Sequence, residues 1–263
     1  MHGRILAAVR VNGWLRALRE RPGLAGGVDR SGSCAAALLA CGFAGVEFGT
    51  VTPLPDGAQV GVAALVQRLG DVVALPCRAR IGIGIGLGAG APPGALGAHW
   101  LAGLRSAWPV ADYLVFNLSA AAYRPLLRPE HDALVAAALA TLASERAWLR
   151  ASTGRRVALA LKLPLDAPQL SAAAQSALAA GFDAVIPVLP QHQARLDWLQ
   201  DWSRALDGGA ALVAVGGIRS AADVRAALQA GASGIQVHRA FVESGVACLA
   251  PLLAGLARPA TIS

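Results

Sequence analysis

Eight times along this chain a short β-compatible run ends in glycine or a polar residue and gives way to an Ala/Leu-rich helical stretch. The runs lie at 24–28, 45–49, 79–86, 113–119, 157–163, 184–188, 211–217 and 234–238. The helical stretches fall near 33–41, 59–69, 95–106, 130–150, 168–180, 192–206, 220–230 and 241–256. Strand followed by helix implies parallel strands joined by right-handed crossovers. Several runs are apolar on both faces, which suits strands covered by helices outside and packed side chains inside. Eight such units in 263 residues are the arithmetic of an α/β fold with a single (βα)8 TIM barrel. A doubly wound open sheet is the alternative, but eight equal units without a breakpoint favour closure. The barrel domain is therefore placed at 23–263, with an N-terminal segment, 1–22, packing on it. That segment is short, Val-Asn-Gly interrupts it at 11–13, and its arginines are not confined to one face, so packing on the barrel is expected rather than membrane attachment.

Composition narrows the class. A chain that is 55% hydrophobic and 15% charged has material for a core and is not disordered. Its apolar stretches are broken by Gly, Arg or Pro before the roughly 20 residues a membrane-spanning helix needs. The Arg-containing start does not read as a secretory signal. The cysteines Cys34, Cys41, Cys77 and Cys248 have no metal-ligand spacing, so no metal and a cytoplasmic location with reduced thiols are expected. Of the 23 basic residues, 22 are Arg and one is Lys, giving a net charge of +7. They are scattered without aromatic interleaving, so nucleic acid is not the expected partner. An anionic small molecule, an acidic partner surface or plain compositional bias accounts for the sign equally well. Six tryptophans (Trp14, Trp100, Trp108, Trp148, Trp198, Trp202), mostly on outer helices, leave room for a homodimer or protein-partner patch.

Chemistry in such a barrel sits at the C-terminal strand ends. These carry Asp29 and Arg30, Gly49 and Thr50, Asn117 and Ser119, Lys162, Gly216 and Gly217, and His238 and Arg239. VAVGGIRSAADV places Gly216 and Gly217 at a strand end before a Ser suited to capping a helix, and the adjacent last strand ends in His238 and Arg239. Backbone amides and helix N-termini there would grip a phosphate, although a glycine pair is also ordinary turn chemistry. Lys162 is the one lysine in a chain that uses Arg elsewhere, and an ammonium at a strand end differs in size and hydrogen bonding from a guanidinium; its stem also packs readily along a barrel. Asn117 ends an apolar strand, where its amide needs a partner. Thr50 and Thr52 either contact a ligand or cap the turn before Pro53. His99 and His192 have no partner in sequence and read as structural. GIGIGLGAG, 82–90, lacks the acidic residue of a dinucleotide fingerprint and reads as a closely approached strand and loop.

The segment GLAGGVDRSGSCAAALLACGFAGVEFGTVTPLP, 23–55, resembles the signature of dihydroorotate dehydrogenases, especially the class 2 membrane-associated type. DYLVFNLS, ALKLP, VAVGGIRSAADV and AGASGIQVHRAFV are similar to later family blocks in the same order, so the resemblance covers roughly residues 20–256. It implies a (βα)8 barrel binding FMN at its mouth and passing hydride from dihydroorotate to the flavin while a side chain removes a proton. On that resemblance Ala25 and Gly26 approach the flavin ring, Gly49, Thr50, Asn117 and Lys162 line it, and Gly216, Gly217, His238 and Arg239 cradle its phosphate.

The substrate side departs from the family pattern. The family reads Asn-x-Ser-Ser-Pro-Asn-Thr after the fourth strand, whereas this chain reads Asn117-Leu118-Ser119-Ala120-Ala121-Ala122-Tyr123. Ala120 falls at the class 2 catalytic serine, Ala122 at a substrate-binding asparagine, and Arg30 at a substrate lysine. Gly84 stands where a flavin-contacting Asn is usual, and Leu189 and Pro190 replace an Asn-Thr pair. Only the short passage Asp56 to Arg80 occupies the place of an Asn-rich segment, and the Gly-rich loop after strand six is short. The chain is accordingly expected not to oxidise dihydroorotate. Three functions remain open. The first is an FMN oxidoreductase of a small anionic substrate, with Arg30, Ser119, Tyr123 and Arg124 on the substrate side and Ser119 or Tyr123 as proton donor. The second is a catalytically inactive relative binding a phosphate-containing ligand or a protein. The third is an enzyme without flavin that uses the phosphate cradle for its substrate.

Overall fold

Small residues on the inner face of the strands decide how this sheet closes. In a computed structural model describing residues 13–55, 60–76 and 78–257, the eight strands are β1 (Gly23–Leu24), β2 (Gly45–Val51), β3 (Arg80–Ile85), β4 (Tyr113–Asn117), β5 (Ala158–Pro164), β6 (Ala184–Val188), β7 (Ala211–Val215) and β8 (Gly234–Val237). Each pairs in parallel with the next, and β8 pairs with β1, giving a closed barrel in strict chain order. The α/β barrel read from the alternating pattern is the observed fold. The helices are α1 (Gly13–Ala17), α2 (Ala35–Ala40), α3 (Val62–Gly70), α4 (Leu96–Ala107), α5 (Asp132–Thr153), α6 (Ala172–Ala179), α7 (Arg195–Leu206), α8 (Ala221–Gln229), α9 (Arg239–Ser244) and α10 (Leu249–Leu256).

The lower half of the barrel is filled by one aromatic stack. Tyr113 points inward from β4 and lies flat on Trp14 of α1, ring centroids 4.0 Å apart and planes 4° from parallel. Gly82 on the neighbouring strand makes this possible, because a Cβ there would meet the Tyr113 ring at 2.1 Å. Ala158, Ala160 and Ala184 complete the inner packing around Trp14, Leu18 and Tyr113. Within the described residues, 13–22 thus place the buried Trp14 and Leu18 against the barrel; residues 1–12 of the proposed N-terminal segment lie outside the described residues.

The outer layer buries the apolar faces of the helices against the strands, with Trp100, Trp202 and Phe116 among the largest fully buried side chains. The tryptophans therefore do not form the surface patch suggested by their helical placement. Trp14, Trp100, Trp108 and Trp202 are buried, Trp198 is half-buried and stacks on His192, and Trp148 alone among the six is exposed. An outer helix of a barrel has an inner face, and that is where aromatic area goes.

The run Arg239–Leu256 is long and apolar enough by length and composition to cross a membrane, with mean hydropathy 1.4 over 18 residues. Here it is α9, a short 3-10 turn and α10, the helical layer of the last βα unit. Cys34, Cys41 and Cys248 are free thiols, and no cluster of metal-ligating side chains occurs among the described residues.

Candidate functional site

A cavity of about 860 Å³ opens at the C-terminal ends of the strands. That volume lies within the range of small-molecule and cofactor sites. Its floor is polar and deeply buried. Lys162, inward on β5, donates to both carboxylate oxygens of Glu47 on β2, each at 3.1 Å. Gln236 on β8 donates to the same carboxylate at 3.3 Å. Glu47 is 2% exposed and Gln236 0%, and the Gln236 Oε1 has no partner among the described residues. Below it, burial first and then the nearby Glu47 charge push the Tyr113 phenol well above the usual tyrosine range. Gly26 gives Glu47 its place, since a Cβ at 26 would sit 2.7 Å from Oε1.

One wall comes from the ends of β7 and β8. Gly216 and Gly217 have φ of +107° and +67°, and a Cβ at Gly216 would sit 2.8 Å from the Leu189 carbonyl oxygen. The chain then enters α8, capped reciprocally by Ser220 and Asp223. Arg195, the first residue of α7, brings its guanidinium against Gly217, and Arg239 opens α9. Side-chain-free backbone, a helix N-terminus and guanidinium groups together suit an anion. Neither Arg195 nor Arg239 side chain makes an ion pair among the described residues, and the same holds for Arg30, exposed on the loop after β1. His238, whose ring abuts Gly27, is lowered from the ordinary histidine pKa of 6.5 by burial and then by Lys162, Arg239 and Arg30, against an opposing pull from Glu47. That lowering favours the neutral imidazole.

The opposite wall comes from β2 and β4. Asn117 Nδ2 donates to Thr50 Oγ1 at 2.8 Å, and Asn117 Oδ1 accepts from both the backbone N–H and the hydroxyl of Ser119. Tyr123 stands in a 3-10 turn after β4, its hydroxyl donating to the Leu87 carbonyl at 3.1 Å, with Gly86 leaving it room. Ala120 and Ala122 line the same side and carry no polar side-chain atom.

All ten residues proposed for the cofactor, Ala25, Gly26, Gly49, Thr50, Asn117, Lys162, Gly216, Gly217, His238 and Arg239, face this one cavity, as do Arg30, Ser119 and Tyr123. Arg124 does not. It pairs with Asp166 on the loop after β5, both half exposed, and is absent from the lining, so the expectation that it faces substrate is corrected. Thr52 is a turn residue, donating to the Leu54 carbonyl. His99 and His192 each accept a local backbone N–H, from Gly88 and Ala194.

Sequence reasoning missed Glu47, Gln236 and Arg195. The first two carried a signal: an acid and an amide interrupt otherwise apolar runs, GVEFG and GIQV, at positions that must face either the helices or the barrel interior. Arg195 carried none, because nothing in the loop 189–195 says how close it comes to Gly217.

No family model matches the chain. The dihydroorotate dehydrogenase (quinone) of Methylococcus capsulatus is 31% identical over 274 residues, spanning 88% of this chain and 81% of that protein. The enzyme of the same name from Verminephrobacter eiseniae is 30% identical, spanning 87% of this chain and 77% of its own. Among solved structures, DHODH from Eimeria tenella in complex with ferulenol superposes with a TM-score of 0.74 at 22% identity, over 90% of this chain and 80% of that one. Its ligand-free form gives 0.71. The structural likeness establishes the barrel, and the sequence identity across more than three quarters of the curated relatives establishes descent: this chain belongs to the dihydroorotate dehydrogenase family.

Proposed function

We propose that the cavity holds FMN and that the protein is a flavin-dependent oxidoreductase acting on a small anionic substrate other than dihydroorotate. The residues fit the cofactor. Gly216, Gly217, Arg195 and Arg239 offer backbone and cationic groups to a phosphate, while Lys162, Asn117 and Thr50 offer donors and acceptors to a polar ring. When bound, FMN supplies the two-electron chemistry, which the protein's own side chains do not.

The observation that carries the reading is the bare β4 wall. Ala120 and Ala122 face the cavity where the family resemblance expects a proton-accepting serine and a substrate-binding asparagine. Neither hydroxyl nearby replaces the serine. Ser119 gives its proton to Asn117 and Tyr123 gives its proton to Leu87, so each hydroxyl proton is already engaged by the protein. Arg30 and His238 remain to receive an anion and to accept a proton, and both lie on the β1 and β8 side.

The same commitment of both hydroxyls favours a second reading, a catalytically silent relative that binds a phosphate-containing ligand. FMN titration into the purified protein, followed by gel filtration and anaerobic challenge with small carboxylates, separates the two. Stoichiometric flavin reduced by one of those donors supports the oxidoreductase. Stoichiometric flavin that no donor reduces supports the silent relative, and rejection of FMN overturns the cofactor assignment.

A further inference from the structure

The buried pair on the cavity floor has a consequence for how the chain's one lysine meets a ligand. We propose that Glu47 is a positioning residue for Lys162, fixing two of its three N–H groups and compensating its charge, so that Lys162 presents a single oriented N–H to the cavity instead of a free cation.

Lys162 Nζ lies 3.1 Å from each Glu47 oxygen, and its side chain is 8% exposed against 1% for Glu47. An ammonium has three donors and no acceptor, so this two-point contact leaves one N–H, on a residue that lines the cavity. The carboxylate is itself held, by Gln236 Nε2 at 3.3 Å. Its seat is bounded by two glycines, Gly26 and Gly84, where a Cβ would meet Oε1 at 2.7 and 3.3 Å. The other groups turned toward Lys162 do not supply a negative charge. Asn117 is its register partner on β4, His238 follows β8, and Arg30 and Arg239 sit nearby above the floor. Glu47 is thus the carboxylate that compensates this buried ammonium among cationic neighbours. This assignment deepens the reading of the cavity as a cofactor site, yet its test needs no cofactor.

Because Lys162 is the only lysine in the chain, lysine-selective 13Cε and 15Nζ labelling gives one side-chain ammonium signal. In the flavin-free wild type, held at one pH throughout, we expect slow solvent exchange of the ammonium protons and restricted motion at Nζ, because two N–H groups are held by the carboxylate. In Glu47→Gln the exchange speeds up about tenfold and the motion at Nζ is released. Glu47→Asp, which keeps the charge on a shorter stem, recovers part of that restriction. Unchanged exchange and motion in Glu47→Gln overturn the proposal. If Glu47→Gln does not fold, a wild-type Lys162 signal with fast exchange and free motion overturns it alone, and a restricted signal that Glu47→Asp loosens supports it. Adding FMN to the labelled wild type then asks the separate question: a flavin site that is wrong leaves the Lys162 signal unmoved by FMN, while the Glu47 dependence stands.

Discussion

The two walls of one cavity have had different fates. On the β7–β8 side, glycines at 216 and 217 and guanidiniums at 195 and 239 line the space with open backbone and positive charge, which suits the proposed phosphate. On the β4 side, alanines at 120 and 122 face the space, and the remaining hydroxyls are tied to Asn117 and to the Leu87 carbonyl. Both walls rest on the same scaffold of strand ends, so the difference does not come from the fold. On the proposed reading, anion binding and proton transfer are separable on a (βα)8 barrel: the first rests mainly on backbone conformation, the second on individual side chains that a single substitution removes.

The comparison breaks most severely at Gly216. A valine there places a Cβ 2.8 Å from the Leu189 carbonyl oxygen at a φ of +107°. Local strain of about 1–3 kcal/mol and loss of FMN binding below detection are expected, read by thermal melting and flavin fluorescence. A smaller break is Arg195→Gln, which leaves the backbone intact and removes one charge-assisted contact. We expect FMN to bind roughly 10- to 100-fold more weakly, on the basis of about 1.5–3 kcal/mol for such a bond, with a shallower dependence on salt concentration in titration calorimetry.

His238 sharpens the same wall through pH. Its native pKa lies below 6.5, so between that pKa and 6.5 the unfolded chain binds the proton that the folded one refuses, and acidification through this window costs stability. A bound anion reverses the preference by favouring the imidazolium. Sulfate is therefore expected to bind a few-fold more tightly as pH falls below about 6.5, an increase that His238→Gln abolishes in pH-dependent titrations. The smallest effect belongs to the other wall. Ala120→Ser with Ala122→Asn should change FMN affinity less than about threefold, under 1 kcal/mol, while giving a dihydroorotate-dependent flavin reduction measurable by stopped-flow absorbance.

The barrel was legible because parallel strands and their crossover helices impose a coarse rhythm that survives ambiguity at each boundary: the sixth run read as 184–188 is β6, and the long helix read near 130–150 is α5, closed by Gly154 in the left-handed region. The strand ends were legible for the same reason, since the fold puts them all at one mouth. Less visible was which face of a doubly apolar strand points inward. Glu47 and Gln236 therefore went unread, although each sits in the barrel interior beside Lys162 or Tyr113. Arg124 misled for a different reason. It follows Tyr123 in sequence, but in a 3-10 turn consecutive side chains diverge, and Asp166 across the neighbouring loop captures it. The tryptophans misled because helix placement does not say which side of the helix bears the ring.

The claim that one wall survives and the other is lost is tested most directly by anaerobic absorbance of the FMN-loaded protein before and after excess dihydroorotate. The account predicts a bound flavin spectrum that dihydroorotate leaves oxidised, while dithionite bleaches it. Bleaching by dihydroorotate would show that the β4 wall still works, and a protein that retains no flavin would show that the β7–β8 cradle does not.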